Sequence, residues 1–254
     1  MAFDNIYVVG DTHGGLNDYY LRSKVWVEQK ELTNKDILIQ LGDFGYFWQP
    51  KMSKEESFKL TTFANKKYQV SFLDGNHENF DRLHLLPTMK QWGGHMGVLR
   101  IGDGEVYHLR RGEVFNFNGI KIFIMGGAQS IDRGNRLEGI SWWKEELHTH
   151  KEIDNALENL EKVNFEVDYI LTHTCPTPII QKLAVNFKGY YVDPERYQDP
   201  CSTFFDHLLL EKKIKFKEWH FGHFHVNETI EYQDKIFRCH YDAKPHKLGE
   251  YDAM

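Results

Sequence analysis

Three short apolar runs in the first third of the chain, residues 6–9, 37–41 and 70–73, predict buried β-strands. Each run ends in a polar turn that contains glycine. Two segments with helical periodicity, residues 16–30 and 53–67, lie between the runs. Such an alternation predicts parallel strands joined by right-handed crossovers, so the carboxyl ends of all three strands should meet at one edge of a sheet.

The pattern changes near residue 95, where short runs separated by glycine turns predict antiparallel hairpins. These runs are residues 98–101, 105–109, 113–117 and 120–125. We predict that they form a second sheet rather than a second domain. Later strands are predicted at residues 167–171, 219–221, 228–232 and 235–240, and later helices at 79–86, 144–160 and 202–212. The predicted fold class is therefore α/β, with two packed mixed β-sheets flanked by helices.

We predict a single domain, residues 1–254, with a loop insertion at about residues 177–200. That stretch is rich in proline, glycine and tyrosine and has no clear period, and long loops in compact domains are often functional. Its tyrosines either cap a pocket or pack on the surface: Tyr190, Tyr191 and Tyr197. The polar tail after Tyr241 is predicted to be mobile.

Composition narrows the class of protein. With 41% apolar and 27% charged residues the chain has the composition of an ordinary soluble globule, and no apolar run is long enough to cross a bilayer. The amino terminus does not resemble a secretory signal, so a cytoplasmic location is expected. Three widely spaced cysteines suit reduced thiols better than disulfides. The formal charge of −6 argues against broad attraction to nucleic acid, although a local positive site can exist on an acidic protein. The sequence does not predict an oligomeric state.

The turns after the predicted parallel strands carry side chains suited to metal and proton chemistry. Asp11 and His13 follow the first strand, Asp43 follows the second, and Asn76 and His77 follow the third. Carboxylate and amide oxygens ligate hard cations, and an imidazole ligates a metal or moves a proton. Each turn alone could be structural, because aspartate, asparagine and glycine are common turn residues. Their convergence at one sheet edge predicts a shared site.

Three later histidines extend this set of ligands. His173 follows the strand predicted at residues 167–171, and His223 and His225 lie on the same side of an extended segment. Oxygen and imidazole donors without thiolate favour Mn, Fe, Zn or a similar ion. Seven donors exceed the needs of one such ion, whereas two ions about 3.5–4 Å apart that share one carboxylate would use them all. The predicted metal ligands are Asp11, His13, Asp43, Asn76, His173, His223 and His225.

Five motifs occur in order along nearly the whole chain: Gly10-Asp11-Thr12-His13-Gly14, Gly42-Asp43, Gly75-Asn76-His77-Glu78, His173 and Gly222-His223-Phe224-His225. In these motifs the sequence resembles the calcineurin-like metallophosphoesterase superfamily. The resemblance implies a four-layer α/β/β/α sandwich. It also implies one metal ion on Asp11, His13 and His225, a second on Asn76, His173 and His223, and a bridging role for Asp43. His77 would then protonate the leaving oxygen or stabilise the transition state.

One departure concerns the serine/threonine phosphoprotein phosphatase branch, which the motifs at residues 10–14 and 75–78 resemble. That branch continues its second motif as Gly-Asp-x-x-Asp-Arg-Gly, but Tyr46 and Phe47 stand at the Asp and Arg positions here. Phosphoprotein specificity is therefore in doubt. Arg133 and Arg136 become the candidate substrate-binding residues, unless they are solvated and paired with local acids. The loop at residues 125–136 and the pair at 142–143 resemble uncharacterised bacterial and phage members.

The sequence thus predicts a binuclear-metal phosphoester hydrolase in which a metal-bridging hydroxide attacks phosphorus. The expected partner is a phosphorylated substrate, with phosphomonoesters favoured, and no membrane association is expected. A phosphodiesterase or nuclease is an alternative, weakened because no basic stripe is evident. A second alternative is a non-catalytic binding scaffold on the same fold, but none of the seven ligand positions is degenerate.

Overall fold

The computed structural model describes residues 3–186 and 198–250. Within these ranges the strands are β1 Asn5–Val9, β2 Asp36–Leu41, β3 Gln69–Leu73, β4 Thr88–Gln91, β5 Gly94–Ile101, β6 Gly104–Leu109, β7 Glu113–Phe117, β8 Ile120–Met125, β9 Tyr169–Thr172, β10 Glu218–Phe221, β11 Glu228–Tyr232, β12 Lys235–Cys239 and β13 His246–Lys247. The α-helices are α1 Lys54–Ala64, α2 Phe80–His84, α3 His150–Glu161, α4 Thr177–Asn186 and α5 Pro200–Asp206. A π-helical turn, His207–Glu211, follows α5.

The strands form two mixed sheets. The seven-stranded sheet has the order β13–β1–β2–β3–β6–β5–β4, and the six-stranded sheet has the order β11–β12–β10–β9–β8–β7. Strands β1, β2, β3 and β6 are parallel to one another, as are β8, β9, β10 and β12. The predicted two-sheet α/β fold is confirmed, and so are the parallel pairings of the first three strands. Their carboxyl ends lie at one edge of the first sheet.

Alternating side chains of the buried strands face different apolar cores. On β2, Ile39 points between the two sheets, whereas Leu38 joins a core that includes Leu60 of α1. On β9, Leu171 points between the sheets, and Ile170 joins a third core with residues of α3, α4 and α5. Burying each such side chain contributes roughly 1.5–3 kcal/mol. Three cores therefore hold four layers together, with helices covering the outer face of each sheet.

Two helix predictions are wrong, one because of packing and one because of helix capping. Residues 16–30 form short 3₁₀ turns rather than an α-helix, and the buried Leu21 and Trp26 stand five positions apart. At about 100° per residue, that spacing does not put them on one helical face. The helix predicted from residue 144 begins only at His150, because Thr149 and Glu152 form a capping box there.

The segment at 177–186, predicted to be part of an irregular loop, is the helix α4. Ile179, Ile180 and Leu183 are buried in the core next to the second sheet, and this spacing gives a short helical face. The sequence did not predict this helix because residues 177–200 were considered together, and the stretch as a whole has no clear period. Residues 187–197, which include the three tyrosines predicted to cap a pocket or pack on the surface, lie outside the described part of the chain.

The predictions for the hairpins and for the carboxyl-terminal tail are also wrong. The hairpins between residues 98 and 125 do not form one sheet, because β5 and β6 join the first sheet and β7 and β8 join the second. The chain crosses between sheets at Arg111-Gly112, where Gly112 has a φ of +76° that favours glycine.

The tail after Tyr241 is structured through residue 250, and its strand β13 pairs with β1. In the described ranges, no helix is long and apolar enough to span a bilayer.

Candidate metal centre

Polar side chains converge at the edge where both sheets present the carboxyl ends of parallel strands. Such an edge is where open α/β sheets commonly bind ligands. All seven predicted metal ligands follow β1, β2, β3, β9 or β10 and lie together there: Asp11, His13, Asp43, Asn76, His173, His223 and His225. The first four come from the first sheet and the last three from the second, so the site spans the sandwich.

One half of the site contains Asp11, His13, Asp43 and His225. One ligand atom from each lies within 4.8 Å of those of the other three. His13 Nε2 is 3.3 Å from Asp43 Oδ2, and His225 Nε2 is 3.4 Å from Asp11 Oδ2. Two ligands bound at about 2.0–2.1 Å to one tetrahedral ion are separated by ~3.3 Å. The spacing of these donors therefore fits a single transition-metal ion.

The other half contains Asn76, His173 and His223. His173 Nε2 lies 3.3 Å from Asp43 Oδ1 and 3.2 Å from Asn76 Oδ1. The ring of His223 packs against that of His173, with centroids 5.0 Å apart. Asp43 thus directs Oδ2 toward the first half and Oδ1 toward the second. A carboxylate in that position can serve two cations at once.

The backbone of the site is strained in a consistent way. Four of the seven residues adopt positive φ: His13 at +45°, Asp43 at +53°, His223 at +68° and His225 at +56°. Non-glycine residues in this region cost on the order of 1–2 kcal/mol each, and such strain clusters at functional sites. Gly75 and Gly222 relieve crowding, because a Cβ at either position would collide with the carboxylate of Asp43 or Asp11. The positive φ values and the two glycines therefore both allow these side chains to approach one another.

The electrostatics of the centre favour a cation. Asp11 is fully buried, and its Oδ2 has no hydrogen-bond partner, which is costly for a carboxylate oxygen without a counter-ion. Burial alone would raise the pKa of Asp43, but His77 and His173 hold it well below its usual value. Burial opposes protonation of His173, yet Asp43 raises the pKa of that imidazole to about 10. The same negative charge would hold metal ions, and the oxygen and nitrogen donors fit first-row ions.

His77 lies beside Asp43, with Nε2 3.9 Å from Asp43 Oδ2. Its other ring nitrogen, Nδ1, is 3.0 Å from Nη1 of Arg136. A guanidinium can only donate, so Nδ1 accepts and the proton of the neutral imidazole lies on Nε2. Burial lowers the pKa of His77; Asp43 opposes that effect, and the charge on Arg136 adds to it. His77 therefore presents an N–H toward the centre.

The two predicted substrate-binding arginines differ in position. Arg136 pairs with Asp132 through its Nε at 2.7 Å while it contacts His77, and it lines a cavity of about 460 Å³ that opens beside the centre. Arg133 is exposed and lies over the ring of Trp142 instead, 5.8 Å from its centroid. Trp48 also lines the cavity, with its ring 5.7 Å from that of His77. Only Arg136 of the two arginines lines this cavity.

Sequence reasoning missed a buried carboxylate that ties two of the turns together. Glu78 is inaccessible to solvent and accepts N–H bonds from Gly75 at 2.7 Å and Gly45 at 3.2 Å. Burial, with repulsion from Asp43, raises its pKa to about 8. The turn after β2 and the turn after β3 are thereby held in register. The signal was present, because Glu78 completes the motif that contains Asn76 and His77.

A second missed feature is a buried ion-pair network next to the Gly75 turn. Asp74 lies 2.9 Å from His108 Nε2 and accepts from Arg111 Nε at 2.7 Å. Burial raises the pKa of Asp74, but Arg111 and His108 more than offset this and hold it far below its usual value. Arg111 also donates to the backbone carbonyls of Glu145 and Leu147. No local pattern marks Arg111, because in the sequence it reads as a hairpin turn.

A hydrogen-bond chain orients Asn76. Its Nδ2 donates to Ser130 Oγ at 3.1 Å, and Ser130 donates to Glu146 Oε2 at 2.7 Å. With Nδ2 engaged on that side, Oδ1 faces His173. Ser130 and Glu146 are both buried. They fix which end of the amide points into the site.

Comparison with known proteins identifies the family to which the chain belongs. A family model described as calcineurin-like phosphoesterase matches residues 5–227. The chain belongs to the calcineurin-like phosphoesterase family, whose members typically depend on two metal ions. It is therefore a metal-dependent phosphoesterase by family. No curated protein sequence shows significant similarity to the chain.

Three solved structures resemble the chain at low sequence identity. Phosphopantetheinyl hydrolase from Mycobacterium tuberculosis is 13% identical, with 98% of each chain covered and a TM-score of 0.49. GAP50, the anchor in the inner membrane complex of Plasmodium, is 10% identical over 93% of this chain and 71% of that chain, with a TM-score of 0.50. A protein described as a 5′-nucleotidase from Staphylococcus aureus is 13% identical over 96% of this chain and 50% of that chain, with a TM-score of 0.49. The likeness to GAP50 bears on the fold alone.

Proposed function

We propose that this protein hydrolyses phosphomonoesters at a pair of metal ions. The observation that carries the proposal is the position of Asp43, which turns one carboxylate oxygen toward each half of the site. Asp11, His13 and His225 would hold one ion, Asn76, His173 and His223 would hold the other, and Asp43 would contact both. When bound, such ions polarise phosphoryl oxygens and make water a nucleophile near neutral pH. Mn, Fe and Zn all suit this donor set.

The residues of the chain then have distinct roles around the phosphoryl group. His77 offers Nε2–H toward the centre and would donate to the oxygen on which negative charge develops as the ester bond breaks. The neutral ring would become an imidazolate if it gave up this proton, so His77 stabilises the developing charge as a hydrogen-bond donor rather than as an acid. Arg136 keeps the proton on that nitrogen by donating to Nδ1. Asp43 accepts the backbone N–H of His77 at 2.8 Å and so fixes the imidazole relative to the metals.

The cavity beside the centre supports a monoester with an apolar or flat alcohol portion. A phosphate bound at the metals would extend its alcohol into the space lined by Leu16, Trp48 and Arg136. The indole of Trp48 provides a stacking surface there, and Arg136 lies 6.0 Å from its centroid. The guanidinium also supplies positive charge for the second negative charge of a monoester, which a diester lacks.

The proposal is tested by assaying Mn-loaded protein on p-nitrophenyl phosphate and on bis(p-nitrophenyl) phosphate. We expect turnover of the monoester that EDTA abolishes and added Mn²⁺ restores. A preference for the diester would instead indicate a phosphodiesterase or nuclease. If the protein binds metal but turns over neither compound, the enzyme proposal fails and a binding scaffold is favoured.

Replacing Arg136 separates the two arginines. Arg136→Ala should raise KM for the monoester about 10-fold, because one charge-assisted contact of roughly 1.4 kcal/mol is lost, and should change KM for the diester much less. Steady-state kinetics on both substrates measure the effect. Arg133→Ala is the matched control and should leave both KM values near those of the wild type. Equal effects of the two substitutions would remove Arg136 from phosphate recognition.

A further inference from the structure

A second cluster of potential metal ligands lies apart from the candidate metal centre and shares no residue with it. Glu218 and His220 extend from the same side of β10 in the second sheet, and His246 comes from β13 in the first sheet. One ligand atom from each of the three lies within 4.8 Å of the others. His220 is fully buried and Glu218 is 5% exposed. The cluster therefore joins the two sheets inside the protein.

Two atoms of this cluster lack hydrogen bonds although they are buried. Glu218 Oε2 and His220 Nε2 lie 3.3 Å apart, and neither has a hydrogen-bond partner. An unsatisfied buried polar atom costs about 1–3 kcal/mol. The separation matches the ~3.3 Å expected between two ligands bound at about 2.0–2.1 Å to one tetrahedral ion. A cation between them would satisfy both atoms.

Neighbouring side chains prepare these atoms for a cation. The other carboxylate oxygen of Glu218 accepts from Arg238 Nε at 2.9 Å, which leaves Oε2 directed at the cluster. His220 Nδ1 is 2.9 Å from His240 Nε2, and this contact aims His220 Nε2 at Glu218. Second partners of this kind commonly orient metal-binding histidines.

An opening to solvent is present as well. A cavity of about 250 Å³ is lined by His240, His246 and Lys244, among others. Of the three proposed ligands it reaches His246, so it gives an ion a route to that side of the cluster and leaves room there for a water molecule. Catalytic and exchangeable zinc sites typically combine three protein ligands with such a water, and two histidines with one glutamate are a known donor set.

We propose that Glu218, His220 and His246 bind a single divalent ion, for which Zn²⁺ is the best chemical match. The site is independent of the proposed phosphoesterase centre. Its ion would connect β10 to β13 and thereby fasten the two sheets, with β10 leading directly into His223.

The test compares the zinc content of intact wild-type protein with that of His246→Gln. Both are stripped with chelator, incubated with excess ZnSO₄, desalted and measured by inductively coupled plasma mass spectrometry. We expect the variant to bind one ion fewer per chain, and the stabilisation of the wild type by Zn²⁺ in thermal unfolding to be smaller in the variant. His84→Gln, which replaces an exposed histidine, should retain the wild-type content.

Because the readout is a difference of one ion, it does not depend on how many ions the phosphoesterase centre holds or on whether that centre is active. Glu218→Gln provides a second variant, since it keeps the shape of the side chain and removes its charge. Far-UV circular dichroism establishes that each variant is folded. A zinc content equal to that of the wild type in a folded variant would overturn the proposal, and the cluster would then be a buried contact between Glu218 and His220 beside His246.

Discussion

Asp43→Asn is expected to lower kcat/KM for p-nitrophenyl phosphate by at least about 100-fold, equivalent to ~2.7 kcal/mol of transition-state stabilisation. The carboxylate faces both halves of the site, so one substitution weakens both proposed ions. Asparagine retains the size of the side chain and tolerates the positive φ of +53° at this position. Its amide oxygen can still accept the N–H groups of Asn76 and His77. The loss should therefore come from charge and metal binding rather than from misfolding.

Kinetics and metal content measured on the same Mn-loaded samples check this expectation. Asp103→Asn is the matched control, since Asp103 lies exposed in the turn between β5 and β6. It should match the wild type in both measurements. Wild-type turnover in Asp43→Asn would show that catalysis does not depend on a shared carboxylate, and the two-ion proposal would have to be abandoned.

Arg111→Met is expected to reduce the free energy of unfolding by roughly 3–5 kcal/mol, the usual cost of removing one partner of a buried ion pair. The side chain of Arg111 is only 4% exposed, and its loss leaves the carboxylate of Asp74 buried without its main counter-charge. Methionine keeps much of the volume, so little of the effect should come from a cavity. Urea denaturation followed by circular dichroism measures the change.

A surface pair provides the comparison. Arg100 lies 2.9 Å from Glu105, but its side chain is 63% exposed. Arg100→Met should therefore change the free energy of unfolding by less than about 1 kcal/mol. Adding Asp74→Asn to Arg111→Met should recover part of the loss, because the unpaired charge is then removed. If Arg111→Met cost no more than Arg100→Met, the buried network would not be important for stability.

Local sequence pattern predicted the parts of the fold that local chemistry determines. The apolar runs at β1, β2 and β3 are long enough to predict strands. The polar turn after each run marks where the strand ends, and the intervening helical segments predict that the strands are parallel. The same pattern placed Asp11, Asp43 and Asn76 at neighbouring strand ends, and the structure brings them together. Their roles as metal ligands await the experiments above. Strand ends were informative because neighbouring parallel strands have their carboxyl ends at the same edge of the sheet.

Other features depend on distant packing and could not be read from neighbouring residues. A hairpin signal does not say which sheet receives the hairpin, so the division between β6 and β7 was missed. Arg111 has the sequence context of an exposed turn, and only the fold buries it against Asp74. The choice between Arg133 and Arg136 likewise depends on how one loop folds back over His77. In each case the deciding partner lies tens of residues away.

The division of the seven ligands between the two sheets means that neither half of the chain contains a complete centre. A chain ending before β9 would contain Asp11, His13, Asp43 and Asn76 but none of the three histidines opposite them. The hydrogen bond from the backbone of His223 to Asp11 closes a loop of 212 residues, among the most non-local contacts in the protein. All seven side chains are therefore present only once the chain has been synthesised as far as His225, and they meet only when the two sheets pack together.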